Sequence, residues 1–218
     1  MRSWDILIAT VGQRERQFTE LMAHLLPQVE LARGAVRVTA LWNHGERSIG
    51  AVRQDLLDSA TGEYVSFIDD DDWVPNDFVG SVRWQLDHHT PDYVGWRLQC
   101  YQDGQPLKPT IHSIRYDNWH DDDDAYYRDI SHLNPIRRTI AQQVRYPDVT
   151  EFEDRLWAAR VRPLVRTERF IDYVMYYYRA SSVHSTWGRN AAPIRRVGRR
   201  VDIDSRWFTY HPNSSSEE

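Results

Sequence analysis

The stretch that decides the fold is Glu63-Tyr64-Val65-Ser66-Phe67-Ile68-Asp69-Asp70-Asp71-Asp72. A short apolar run that ends abruptly in four carboxylates reads as a strand delivering acids to one edge of a sheet, where open α/β sheets bind their ligands. Four adjacent like charges repel, so the run needs a compensating cation or open water. Carboxylates are also the hard oxygen ligands that Mg²⁺ and Mn²⁺ prefer, commonly with substrate phosphates completing the shell. The run alone fits either a metal–diphosphate site or a solvated acidic turn. Its surroundings favour the site.

Upstream, Ile6-Leu7-Ile8-Ala9 is a continuous apolar run, as expected of a strand buried on both faces of a parallel sheet. Phe18, Leu21, Met22, Leu25 and Leu26 then recur at helical spacing, and Pro27 is expected to close that helix. A second strand is predicted over 36–42. A second helix follows with Ile49, Val52, Leu56 and Leu57 on one face and Gly62 as its stop. Two β-α-β crossovers in succession imply right-handed connections and parallel strands. The expected class is therefore α/β, a mostly parallel central sheet flanked by helices.

After Pro75 the pattern changes. A helix is expected over 77–86 and a strand over 93–101, then a turn at Asp103-Gly104 and a return strand over 111–116. The run His120-Asp121-Asp122-Asp123-Asp124 has no strand closely before it and reads as a solvated loop. Helices are expected over 136–144 and 151–160, then an aromatic strand over 170–179. From Ser181 the chain is rich in Ser, Asn, Pro, Gly and Arg and reads as irregular, with 214–218 frayed.

Composition sets outer bounds. The 218 residues suffice for one full domain, and 41% hydrophobic with 27% charged residues is ordinary for a globular protein. A net charge of −5 gives no bulk attraction for nucleic acid. Lys108 is the only lysine, and the single Cys100 excludes an internal disulfide and a cysteine zinc cluster. With no secretory apolar region and no run near the ~20 residues of a membrane span, the expectation is a soluble cytoplasmic protein, in a host cytoplasm if phage-encoded.

Taken in order, Thr10 to Arg16, Ser48-Ile49-Gly50-Ala51-Val52-Arg53-Gln54, Ala60 to Asp72, Glu153-Asp154-Arg155-Leu156-Trp157, and Tyr176-Tyr177-Tyr178-Arg179 with His184-Ser185-Thr186 resemble family 2 glycosyltransferases of the GT-A fold. The string 48–72 is especially similar to small phage and bacterial members. The resemblance implies a nucleotide-sugar donor, with UDP favoured, and a Mn²⁺ or Mg²⁺ ion. It divides the chain into a donor-binding half (1–92), an acceptor-binding and catalytic half (93–187) and an arginine-rich tail (188–218).

The same resemblance puts Asp71 on the metal and Asp69 at the ribose or beside the metal, with Asp70 next to the donor and His184 as a third metal or diphosphate contact. It draws Thr10, Val11, Arg14, Asn43 and Arg53 toward the donor. Asn43 stands where the family more often has an acid, and Gln54 where it usually has Asn. Asp154 is the candidate general base that accepts the proton of an attacking hydroxyl. Glu153 is the alternative, although Thr150 to Glu153 also fits a capping box, which suits Glu153.

Several residues keep a plainer reading beside the functional one. Arg14 and Arg16 could be solvated helix-start residues, and His184 polar surface. Tyr173, Tyr176, Tyr177 and Tyr178 read as packed structure, whereas Trp73 and Trp187 could stack on a sugar. The segment Arg189 to Arg200 could be a tail, a flap over the diphosphate, or a contact for the phosphates of a DNA acceptor. The acceptor hydroxyl could belong to a glycan, a protein or a modified DNA base. Two other functions compete: a sugar-nucleotidyltransferase, whose Gly-rich phosphate loop Thr10-Val11-Gly12-Gln13-Arg14 matches poorly, and a non-catalytic carbohydrate- or nucleic-acid-binding module.

Overall fold

A computed structural model of the chain describes residues 1–180 and the strand 207–210. Its centre is three parallel strands, β1 (Trp4–Val11), β2 (Val36–Asn43) and β3 (Tyr64–Phe67), in the order β2-β1-β3. Because alternate side chains of a strand face opposite ways, β1 feeds two cores. Ile6 and Ile8 pack with α1 (Glu15–Leu31) and α3 (Phe78–His89), whereas Leu7 packs with Val65 and Phe67 under α2 (Ile49–Ser59) and α5 (Glu153–Val161).

The second half widens the sheet. It adds β4 (Tyr93–Gln102), β5 (Gln105–His112), β6 (His120–Asp121), β7 (Tyr126–Arg128), β8 (Ile136–Arg137) and β9 (Glu168–Ala180). With β10 (Trp207–Tyr210) the order is β10-β2-β1-β3-β8-β4-β5-β7-β6, and β9 pairs in parallel with β4. The expected α/β architecture is what forms, parallel at its centre. Among the described residues no helix is long and apolar enough to cross a membrane.

Five local expectations are corrected. Pro27 does not close α1, which runs on to Leu31. The helix continues because Val29 is fully buried and Gln28 docks on the β3–α3 connection, donating to Pro75 O at 3.0 Å and accepting from Val79 N at 3.2 Å. Such tertiary contacts offset the cost of an interior proline, about 3 kcal/mol. Gly62 is not a left-handed helix stop. Its N–H donates to Asp5 Oδ2 at 2.8 Å, and an added Cβ would lie 3.0 Å from the Asp5 backbone nitrogen.

The return strand begins at Gln105, directly after a tight turn in which Asp103 and Gly104 both have positive φ. The helix expected over 136–144 splits into β8, which bridges β3 and β4, and a four-residue α4 (Arg138–Ala141). The end of the chain is not wholly irregular, since β10 pairs antiparallel with β2.

Candidate active site

The four aspartates leave β3 in a turn pinned at both ends. Ile68 N donates to Leu7 O at 3.0 Å, Asp72 N donates to Asp69 O at 3.1 Å, and Asp69 N donates to the Tyr176 hydroxyl of β9 at 3.0 Å. The turn alternates the acids: Asp70 and Asp72 are buried, while Asp69 and Asp71 are partly open.

Each buried aspartate is fully engaged by protein. Asp70 Oδ2 accepts from the Thr10 hydroxyl at 2.7 Å and Val11 N at 3.3 Å, and its Oδ1 from Arg14 at 2.8 Å. Asp72 accepts from the Tyr176 hydroxyl at 2.9 Å and from Arg179 N at 2.8 Å. Burial pushes both carboxyls above their ordinary range, Asp72 strongly so. Thr10, Val11 and Arg14 thus gather at the end of β1 as expected, but there they hold Asp70.

The two open aspartates diverge. Burial disfavours charge on Asp69, yet Arg53, His132 and Arg14 outweigh it and hold that carboxyl well below its usual range. Asp71 has 28% of its side chain exposed; among the described residues its carboxylate pairs with Arg14 at 3.1 Å, and burial pushes it up to about 6. A carboxyl so poised gains from a cation that keeps it ionised.

Arg53 ties this turn to the second half. From inside α2 its guanidinium lies 2.8 Å from Asp69 Oδ1 and 2.8 Å from Glu153 Oε1, with both Arg53 and Glu153 buried. Glu153 is therefore committed to a buried ion pair. The capping box does not form: the residue before α5 is Phe152, in a left-handed conformation (φ 63°) with no side-chain cap, and this turns Glu153 inward. The next residue, Asp154, keeps 41% of its side chain exposed and faces the site.

The motif around Ser48 explains how α5 arrives there. Ser48 Oγ caps α2 by accepting from Ala51 N at 3.0 Å, and it donates to Asp148 Oδ1 at 2.5 Å. Gly50 lets the 147–149 segment dock on the helix start. Its N–H donates to Val149 O at 3.0 Å, and a Cβ there would come within 1.9 Å of Pro147 O. Gln54, buried, accepts from Tyr146 N at 2.8 Å and so fastens the same segment.

Asn43 lies at the end of β2, beside a shallow cleft lined by Trp42, His44, Glu46 and Arg47. Its amide braces the following loop, donating to Arg47 O at 2.9 Å and accepting from Gly45 N at 3.2 Å. Trp73 is stacked on His24 at 4.4 Å, with the Arg179 guanidinium 5.8 Å from its ring centre. His184, Trp187 and the segment 189–200 lie outside the described residues. Arg16 pairs on the surface with Glu20, as its plain reading expected.

Three contributors were given no site role by the sequence, Tyr176 and Arg179 although they stand in the closing motif, and His132 with no motif-level signal. Tyr176 and Arg179 brace Asp72 from β9. His132 is buried between the two halves, its Nε2 3.7 Å from Asp69 Oδ1 and its Nδ1 3.7 Å from Asp154 Oδ2. The spacing of polar residues in Ser131-His132-Leu133-Asn134 suggests a loop, and only the tertiary fold reveals the burial.

The donor set suits a hard divalent cation. Among the described residues no three of His, Cys, Asp or Glu are gathered to hold a metal unaided. Asp69 and Asp71 offer open carboxylate oxygens at one sheet edge. Two carboxylates completed by substrate phosphates is the usual arrangement for Mg²⁺.

A parallel-centred sheet with acids at the carboxyl edge of β3 and a carboxylate pair on a facing helix belongs to the α/β class that binds ligands at that edge. A family model described as glycosyl transferase family 2 matches residues 28–166, and the chain belongs to that family. Among solved structures, S. aureus TarS 1-349 superposes with a TM-score of 0.59 at 17% identity, over 81% of this chain and 60% of that one. The same protein in complex with UDP-GlcNAc gives 0.57 at 16%, over 81% and 58%, and in complex with UDP 0.57 at 16%, over 82% and 61%. This chain thus spans about three-fifths of those structures' length. No curated protein sequence matches it.

Proposed function

We propose that this chain is an inverting glycosyltransferase that moves a sugar from a nucleotide-sugar, with UDP as the nucleotide, to an acceptor hydroxyl. Residues 1–92 form its donor half and 93–187 its acceptor half. The observation that carries the reading is the Asp69–Arg53–Glu153 bridge, which ties Glu153 to the aspartate turn and leaves its neighbour Asp154 open, across the His132 ring from Asp69. The UDP and UDP-GlcNAc complexes of TarS support the choice of nucleotide.

Asp69 and Asp71 would hold Mn²⁺ or Mg²⁺ together with the donor diphosphate. The ion, when bound, neutralises charge growing on the leaving group. Arg53 fixes Asp69, and Arg14 holds the turn from the β1 side. Val11 and Asn43 border the nucleoside. Asp154 accepts the acceptor hydroxyl's proton as that oxygen bonds to the anomeric carbon and the bond to the diphosphate breaks on the opposite face. In this reading Glu153 orients rather than reacts.

The test uses Asp154→Asn. Loss of its base should cut UDP-sugar hydrolysis or transfer by about 10²-fold or more while UDP binding in Mn²⁺ stays within about twofold. Unchanged turnover would remove Asp154 as base. Failure of the wild-type chain to bind UDP would leave a non-catalytic binding module as the better description.

A further inference from the structure

The loop that precedes β8 is built as tightly as core. Ile130, Ser131, His132, Leu133 and Asn134 are all buried. Ser131 N donates to the Tyr93 hydroxyl at 3.1 Å and Asn134 Nδ2 to Val94 O at 2.8 Å. His132 O accepts from Phe67 N at 2.9 Å, so its ring is held at the end of β3 and packs on Phe67 at 5.9 Å between centres. The residue is 5% exposed.

The ring's two nitrogens look in two directions. Nδ1 faces Asp154 and Nε2 faces Asp69, each at 3.7 Å. That separation is beyond hydrogen-bond range, and buried Nε2 has no hydrogen-bond partner. An unsatisfied polar atom this deep is uncommon and calls for a contact. Catalytic hydrogen bonds are often long without substrate and tighten in its complex.

We propose that His132 is a positioning residue that links the donor carboxylate Asp69 to Asp154, one ring nitrogen for each. Donor occupancy at Asp69 is thereby sensed at the carboxylate that must meet the acceptor. This rests on the reading of Asp154 as the base, and it adds a connection that does not run through Arg53 and Glu153.

The test reads the ring directly, by nitrogen-15 NMR of the full chain with UDP and Mg²⁺ as the probe. Asp69→Asn should move chiefly the Nε2 resonance and Asp154→Asn chiefly Nδ1, and adding UDP with Mg²⁺ to the wild-type chain should move both. The amide variants supply the second arm. His132→Gln places its amide near the Nε2 position and should bind UDP within about twofold of wild type, whereas His132→Asn places it near Nδ1 and should weaken UDP about tenfold, ~1.4 kcal/mol.

Ring nitrogens unmoved by UDP, or equal loss of UDP affinity in both amide variants, would reduce His132 to a packing residue. Those outcomes need a chain that binds UDP. No UDP binding at all would instead sink the donor reading beneath them.

Discussion

The chain contains two runs of four aspartates, and the fold treats them oppositely. Asp69 to Asp72 end a buried strand, and arginines, hydroxyls and backbone amides from distant segments converge on them. Asp121 closes β6 and Asp122 to Asp124 follow it, all exposed; Asp122 accepts from the amides of Asp124 and Ala125 at 2.9 and 3.0 Å and from the Tyr127 hydroxyl at 3.0 Å, and so shapes the β6–β7 turn. Composition is the same in both. What separates them is that β3 is a buried strand of the central sheet, whereas β6 is a two-residue exposed strand; the buried strand fixes direction and lets partners far apart in sequence meet the charge.

Removing the buried cation from the first run should break the contrast most severely. Arg53→Met leaves Asp69 and Glu153 facing each other without it and should cost about 3–5 kcal/mol in chemical denaturation. Lys108→Met, beside exposed Asp121 at 3.7 Å, should cost under about 1 kcal/mol. Equal losses would mean that burial does not distinguish the runs.

Acid should separate the halves next. His112, at the end of β5 in the second half, donates its Nδ1–H to Asp129 O at 3.0 Å, and burial pushes its imidazole down to about 4. A depressed value means that the unfolded chain takes the proton first, so stability present above pH ~6.5 is lost as pH falls toward about 4. The loss should approach ~3 kcal/mol over that window, and urea titrations should find the slope reduced in His112→Phe. Asp69, held low chiefly by Arg53, should begin to contribute its own loss as pH falls into the ordinary carboxylate range, where the unfolded chain takes the proton first, and go on losing it below that range.

Ligand binding sharpens the comparison further. Asp71→Ala should weaken UDP in Mn²⁺ at least about tenfold, ~1.4 kcal/mol by calorimetry, while Asp123→Ala leaves it unchanged. The smallest effect should come from Asp122→Ala, which removes the local turn bonds and should cost about 1 kcal/mol or less, with UDP affinity intact.

Much of the first half was legible because its signals are local. Apolar runs and helical spacing placed β1, β2, α2 and β3, and the acids after Phe67 marked the edge that holds the candidate site. Pro27 misled because the burial of Val29 and the docking of Gln28 are long-range. The capping box at 150–153 misled for a similar reason, since Arg53, a hundred residues earlier, draws Glu153 inward. His132 was invisible: nothing in a polar loop sequence announces that its two ring nitrogens will point at carboxylates from different halves. The parallel pairing of β9 with β4 likewise depends on a long connection through α5 that periodicity does not describe.

The Tyr176 hydroxyl binds both ends of the first aspartate run, accepting from the Asp69 amide and donating to the Asp72 carboxylate. The aspartate turn is thus fastened to a strand that enters the sheet a hundred residues later. Its amide proton at Asp69 should therefore exchange with solvent no faster than β9 detaches from β4, which makes turn and sheet a single cooperative opening unit.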